Sequence, residues 1–203
     1  DKPIAVKISI STREMERDGG EINRDASHLF TVYPSQVLLQ PGAYQAVRVQ
    51  WKGPEALPEE KAFRIIAEQL PVKFDQEEQT GGSINILVRY KGAIYVVPKS
   101  AEPDVIVEAV RSSMGADTGG PERLFIEVYN RGSAHVILQD LSVRLVSKAS
   151  GRENISTVLE GGILKGMDGE NILAGARRRF ILPWPAGFEE GDLSAELLYQ
   201  QVR

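Results

Sequence analysis

The 203-residue chain contains no cysteine and only two histidines, His28 and His135. Without thiols there can be no disulfide staple and no thiolate chemistry, and two histidines so far apart offer no zinc-ligand spacing, so no metal site is expected. No apolar run approaches the roughly 20 residues of a spanning helix, and no membrane insertion is expected. Nor does any long segment carry the 3.6-residue periodicity of an amphipathic helix. Nucleophile elbows, phosphate loops and dinucleotide fingerprints are missing as well, so the expectation is a protein that is not an enzyme, with no catalytic residues and no cofactor. An initiator methionine and a signal peptide are also lacking; Asp1 stands directly before a strand-like run, which reads as a processed or trimmed chain. The formal net charge of -4 argues against nucleic acid or an anionic membrane surface as partner.

What is present is alternation. Pro3 to Ser11 places Ile4, Val6, Ile8 and Ile10 on one face of a strand. Phe30 to Leu39 reads as a strand broken by Pro34, hence on an edge or at a crossover between sheets. Gln40-Pro41-Gly42 turns the chain, and Ala43 to Lys52 alternates again, with Val47, Val49 and Trp51 on one side. Pro58-Glu59-Glu60 is expected to form a short helical turn before the strand Ala62 to Val72. Lys99 to Asp104 has no apolar side chain larger than alanine or proline and marks a boundary. The expected domains are therefore 1–98 and 105–203, joined by a linker at 99–104. Beyond it, strand-like runs resume at Val105 to Val110, Arg123 to Tyr129, His135 to Val146, Ile155 to Leu159, Arg177 to Leu182 and Leu193 to Gln201. Short strands separated by Gly and Asp turn signals predict antiparallel sandwiches of immunoglobulin type. The triplet Arg177-Arg178-Arg179 is expected to be a strand start with exposed charges.

One stretch exceeds the needs of a small sheet. Ser83 to Pro98, SINILVRYKGAIYVVP, alternates over 16 residues and predicts a strand of roughly 50 Å, against about five or six residues for an ordinary strand. Ile84, Ile86 and Val88 form an apolar row; Arg89 and Lys91 share the opposite face. A long strand with a surplus apolar row beside two cations points to a backbone edge offered to another chain. The same edge is expected to let the isolated chain self-associate.

The segments VYPSQVLLQPGAYQAVRVQWKGP at 32–54, EKAFRIIAEQLPV at 60–72 and INILVRYKGAIYVVP at 84–98 resemble the periplasmic pilus-assembly chaperones of the chaperone-usher pathway, the PapD-like family, and most closely its archaic, Csu-type branch. RLFIEVYNRGSAHVILQDLSVRL at 123–145 matches more loosely. The resemblance implies two immunoglobulin-like β-sandwich domains, the first lacking about two N-terminal strands with which family members begin. It implies a periplasmic location, pilin subunits and an outer-membrane usher as partners, and capture by donor-strand complementation, in which the chaperone lends a strand to an incomplete pilin. Ile84, Ile86 and Val88 are then expected to fill the pilin groove. The better-known branch anchors the pilin terminal carboxylate with a basic residue just before the stretch matching Ile94 to Pro98. Ala93 stands there in this chain, and Arg89 and Lys91 are expected to anchor the carboxylate instead. The alternative reading is a structural adhesin or pilus-associated module built from two sandwiches. A carbohydrate-processing enzyme on a β-sandwich would need paired carboxylates in a cleft.

Overall fold

The computed structural model describes residues 2–71, 86–113, 122–148 and 153–202. Among them the chain is all-β, with two 3-10 turns, Ser27–Leu29 and Gly161–Leu164, as the helical elements. It separates into two compact units, each an immunoglobulin-like sandwich. The first comprises Asp1–Glu14, Ile22–Leu57 and Lys61–Val96; the second comprises Met15–Glu21, Pro58–Glu60 and Val97–Arg203.

The strands of the first half are β1 (Ile4–Thr12), β2 (Glu14–Met15), β3 (Glu21–Ile22), β4 (Phe30–Tyr33), β5 (Gln36–Leu39), β6 (Arg48–Trp51), β7 (Lys61–Gln69) and β8 (Arg89–Val96). A four-stranded antiparallel sheet runs in the order β5-β1-β7-β8, and β4 pairs with β6 separately. Pro34 is where the chain leaves β4 and enters β5 in the other sheet, through a cis Tyr33-Pro34 bond. The predicted alternation from Ala43 shrinks to β6, since Ala43 to Ala46 are exposed and have no strand beside them. Ile10 and Phe63 from the larger sheet meet Phe30 of β4 in a small core that Trp51 flanks. The ring of Phe30 lies edge-on to Trp51 at 5.1 Å and to Phe63 at 4.9 Å, a geometry that favours aromatic contact beyond mere burial.

The second half contributes β9 (Val105–Ser112), β10 (Arg123–Asn130), β11 (Val136–Lys148), β12 (Ile155–Glu160), β13 (Asn171–Ile172), β14 (Arg177–Pro183) and β15 (Asp192–Val202). One sheet is ordered β14-β10-β9; in the other, β11 pairs with β12, β13 and β15. Alternate residues of both sheets meet in a core whose Leu124, Ile126, Val128, Val136, Leu138 and Val143 have no exposed area.

Asn130 and Glu60 are buried polar residues of this unit, and both are paired. Asn130 is fully buried, and its amide donates to the carbonyls of Ala134 at 2.8 Å and Ile172 at 3.1 Å. Its side-chain oxygen accepts from the Asp104 and Gly132 N–H groups, each at 3.0 Å. Gly132 must be glycine, because a Cβ there would lie 2.4 Å from both the Asp104 nitrogen and the Glu102 oxygen. The segment expected as a helical turn, Pro58 to Glu60, is not helical. Glu60 is held instead by its N–H to the Ser133 carbonyl at 2.8 Å and by its carboxylate against His135 Nδ1 at 2.8 Å, both side chains being buried.

The arginine triplet also departs from expectation. Arg177 and Arg179 point outward to Glu108 and Glu127, but Arg178 is buried, with Glu170 at 3.1 Å. Alternation along β14 requires this, since Arg178 shares its face with Phe180 and Leu182. Gly19, at a φ of 99°, lies over its guanidinium, where a Cβ would come within 2.7 Å.

Candidate functional site

The last strand of the four-stranded sheet combines a free backbone edge with apolar side chains that its own core does not take up. β8 pairs with β7 from Lys61 opposite Val96 to Glu68 opposite Arg89. Among the described residues nothing pairs with its other edge, leaving a row of N–H and C=O groups available for a further strand.

The strand is shorter than its alternation predicts. It begins at Arg89, and Ile86 to Val88, though described, carry no strand assignment. The cause is the partner. β7 ends at Gln69, whose N–H makes the last ladder bond to the Val88 carbonyl at 2.9 Å, while the Leu70 N–H turns to Ala5 at 2.8 Å. Among the described residues no strand pairs with Ile86 or Leu87, so their extended sequence does not become sheet there. Ile84 lies outside the described residues.

One apolar row runs through this boundary. Val96 and Ile94 pack on the core with Phe63 and Phe30. Gly92 follows, close under Ile65, whose Cγ2 would lie 3.0 Å from a Cβ at that position. The same alternation continues with Tyr90 at 73%, Val88 at 40% and Ile86 at 79% exposure. Leu87, on the other alternation, is also exposed. Large apolar side chains clustered at an unpaired strand edge mark an interaction site more strongly than scattered exposed residues do.

The two cations occupy the opposite face. Arg89 donates through Nε to Glu68 Oε1 at 2.9 Å and through Nη2 to the same oxygen. Glu68 is its register partner on β7 and also the partner of Lys7 on β1, so Lys7, Glu68 and Arg89 form one cross-strand row. Lys91 Nζ donates to the Asn23 side-chain oxygen at 3.3 Å. Both cations are exposed. Sequence reading named the cations but missed Glu68. No local pattern marks it, because it reaches Arg89 only through the register of two strands 21 positions apart.

Arg13, also on this face, donates through Nη1 to the Tyr95 hydroxyl at 2.8 Å. No group of three or more metal-ligating side chains occurs among the described residues, and no described helix is long and apolar enough to cross a membrane. The site combines an edge unpaired among the described residues, exposed apolar side chains and two exposed cations.

The sequence model of a family described as pili and flagellar-assembly chaperone, PapD N-terminal domain, matches residues 1–102. Three solved structures share the fold. The class 5 fimbriae chaperone CfaA is 18% identical at a TM-score of 0.51, with 97% of this chain and 86% of that one covered. A chain of the chaperone-tip adhesin complex of CFA/I fimbriae is 16% identical at a TM-score of 0.53, over 97% and 86%. A chain of the CsuC-CsuE chaperone-tip adhesion subunit pre-assembly complex, from archaic Csu pili of Acinetobacter baumannii, is 14% identical at a TM-score of 0.57, over 97% and 84%. No curated protein sequence matches the chain.

Proposed function

We propose, for a chain that belongs to the PapD-like family of pili and flagellar-assembly chaperones, that it captures pilin subunits by donor-strand complementation in the periplasm and delivers them to an outer-membrane usher. The observation that carries this reading is the apolar row of β8. Its Ile94–Val96 end is used by the chain's own core, and its Ile86–Tyr90 end is exposed at an unpaired edge.

The physical logic has three parts. A subunit edge that lacks a neighbour leaves backbone groups unpaired, and a lent strand satisfies them. Ile86 and Val88, with Ile84 upstream, fill alternate positions of the subunit groove; each is worth about 1.5–3 kcal/mol when fully buried. Arg89 and Lys91 receive the subunit's terminal carboxylate and so set the register, since a slip of one residue would turn the apolar row outward. Nothing in this cycle needs a nucleotide: folding of the subunit against its permanent partner drives release. Until a subunit arrives, the same edge can pair with a second copy of the chain.

The test is co-expression with the pilin-like subunits of the host organism, comparing the native chain with Ile86→Asp and with the double variant Arg89→Ala, Lys91→Ala. Soluble subunit should fall by about tenfold or more with Ile86→Asp, the factor expected for losing one buried anchor. Equal recovery with all three chains would sink the reading.

A further inference from the structure

The carboxylate anchor proposed above is already occupied. Arg89 donates through Nε to Glu68 Oε1 at 2.9 Å and pairs with the same carboxylate through Nη2. Both side chains are open to water, at 55% for Arg89 and 36% for Glu68, so the pair is easily exchanged. On the far side of Glu68, in the same cross-strand row, stands Lys7, which is exposed. Among the described residues Lys91 holds a neutral amide oxygen, at 3.3 Å.

We infer that Glu68 is a positioning residue: an internal carboxylate that holds the Arg89 guanidinium on the outer face of the sheet until a subunit's terminal carboxylate displaces it. The inference rests on the donor-strand reading and adds a competitor to it. Lys91 takes the incoming carboxylate first, because no anion has to leave. Arg89 then exchanges one carboxylate for another, so its charge-assisted bonds are conserved, and Glu68 swings toward Lys7, which offsets the charge left behind. The device makes the second contact conditional. An apolar strand lacking a free carboxylate at the right register leaves Arg89 on Glu68 and forfeits that contact.

The experiment uses two fluorescein-labelled peptides of alternating valine and threonine, one ending in a free carboxylate and one in the C-terminal amide, titrated by anisotropy. The quantity read is the ratio of their affinities, which a merely structural role for Glu68 would not move. Glu68→Gln should raise the preference for the acid about two- to fivefold, the range expected for an exposed ion pair. Arg89→Gln in the Glu68→Gln background should cancel that gain, and Lys7→Gln should lower the preference of the native chain. An unchanged or smaller ratio in Glu68→Gln, or no preference for the acid in any variant, overturns the inference. So does failure of either peptide to bind to any of these chains. Failure of the donor-strand reading gives a different pattern: Ile86→Asp would bind both peptides as the native chain does.

Discussion

The two sandwiches use their apolar residues in opposite ways. In the second, alternate side chains of both sheets close on one another until Leu124, Val136, Leu138 and Val143 have no exposed area. In the first, the buried cluster among the described residues is Ile10, Ala26, Phe30 and Phe63, while Ile86, Val88 and Tyr90 of the β8 row are turned to solvent. The lesson is that an alternating apolar strand need not belong to the core beside it. Where a partner strand stops, as β7 does at Gln69, the row continues past its own core and its side chains are exposed.

The sharpest way to break this comparison is to truncate one residue of each kind. Leu138→Ala should cost about 2–5 kcal/mol in urea unfolding, because it empties a fully buried site. Ile86→Ala should leave stability within about 0.5 kcal/mol of the native chain while lowering pilin recovery. If Ile86→Ala destabilises as Leu138→Ala does, the exposed row is core after all and the contrast fails.

A smaller effect tests whether the second unit is closed by polar pairing as well as by packing. Asn130→Ala strands the Asp104 and Gly132 N–H groups and the Ala134 and Ile172 carbonyls at once. The expected loss is about 1–3 kcal/mol, read as a lower denaturation midpoint. A midpoint unchanged by the substitution would show that solvent reaches these groups.

The smallest effect lies on the outer face of the same unit and concerns acid. The Glu108 carboxylate is held below the ordinary glutamate value chiefly by its hydrogen bond to Arg177, with opposing desolvation and a further electrostatic pull from the same arginine. A depressed folded-state value contributes stability that is fully present above the unfolded value, near 4.3, and is lost as pH falls through the folded one. Denaturation midpoints at pH 7 and pH 3 should therefore differ slightly less for Glu108→Gln than for the native chain. A larger difference in the variant would reverse the sign assigned to this pair.

Much of this was legible locally. Alternation identified strands, Pro34 marked the crossing between sheets, and the run after Ser83 singled out a strand whose outer edge is unpaired among the described residues. The chain's own resemblance to pilus chaperones pointed the same way. Three features were not legible, and each depends on what a residue faces across space. The groups that meet the buried Arg178 are Gly19 and Glu170, and the last ladder bond among the described residues, to Val88, lies where Leu70 turns toward Ala5.

The third is the pairing of Arg89 with Glu68. A period of two states which side of a strand a residue occupies, because the backbone alternates whatever its surroundings. It carries no information about register, which is decided by the joint packing of Phe63, Ile65 and Ile94 with the β4–β6 layer. The sequence alone therefore determined that this is an all-β chain with one apolar row alternating from Ile86 to Val96. Only the tertiary structure decided how β8 pairs with β7 among the described residues and which carboxylate lies against its arginine, since both follow from contacts between segments distant along the chain.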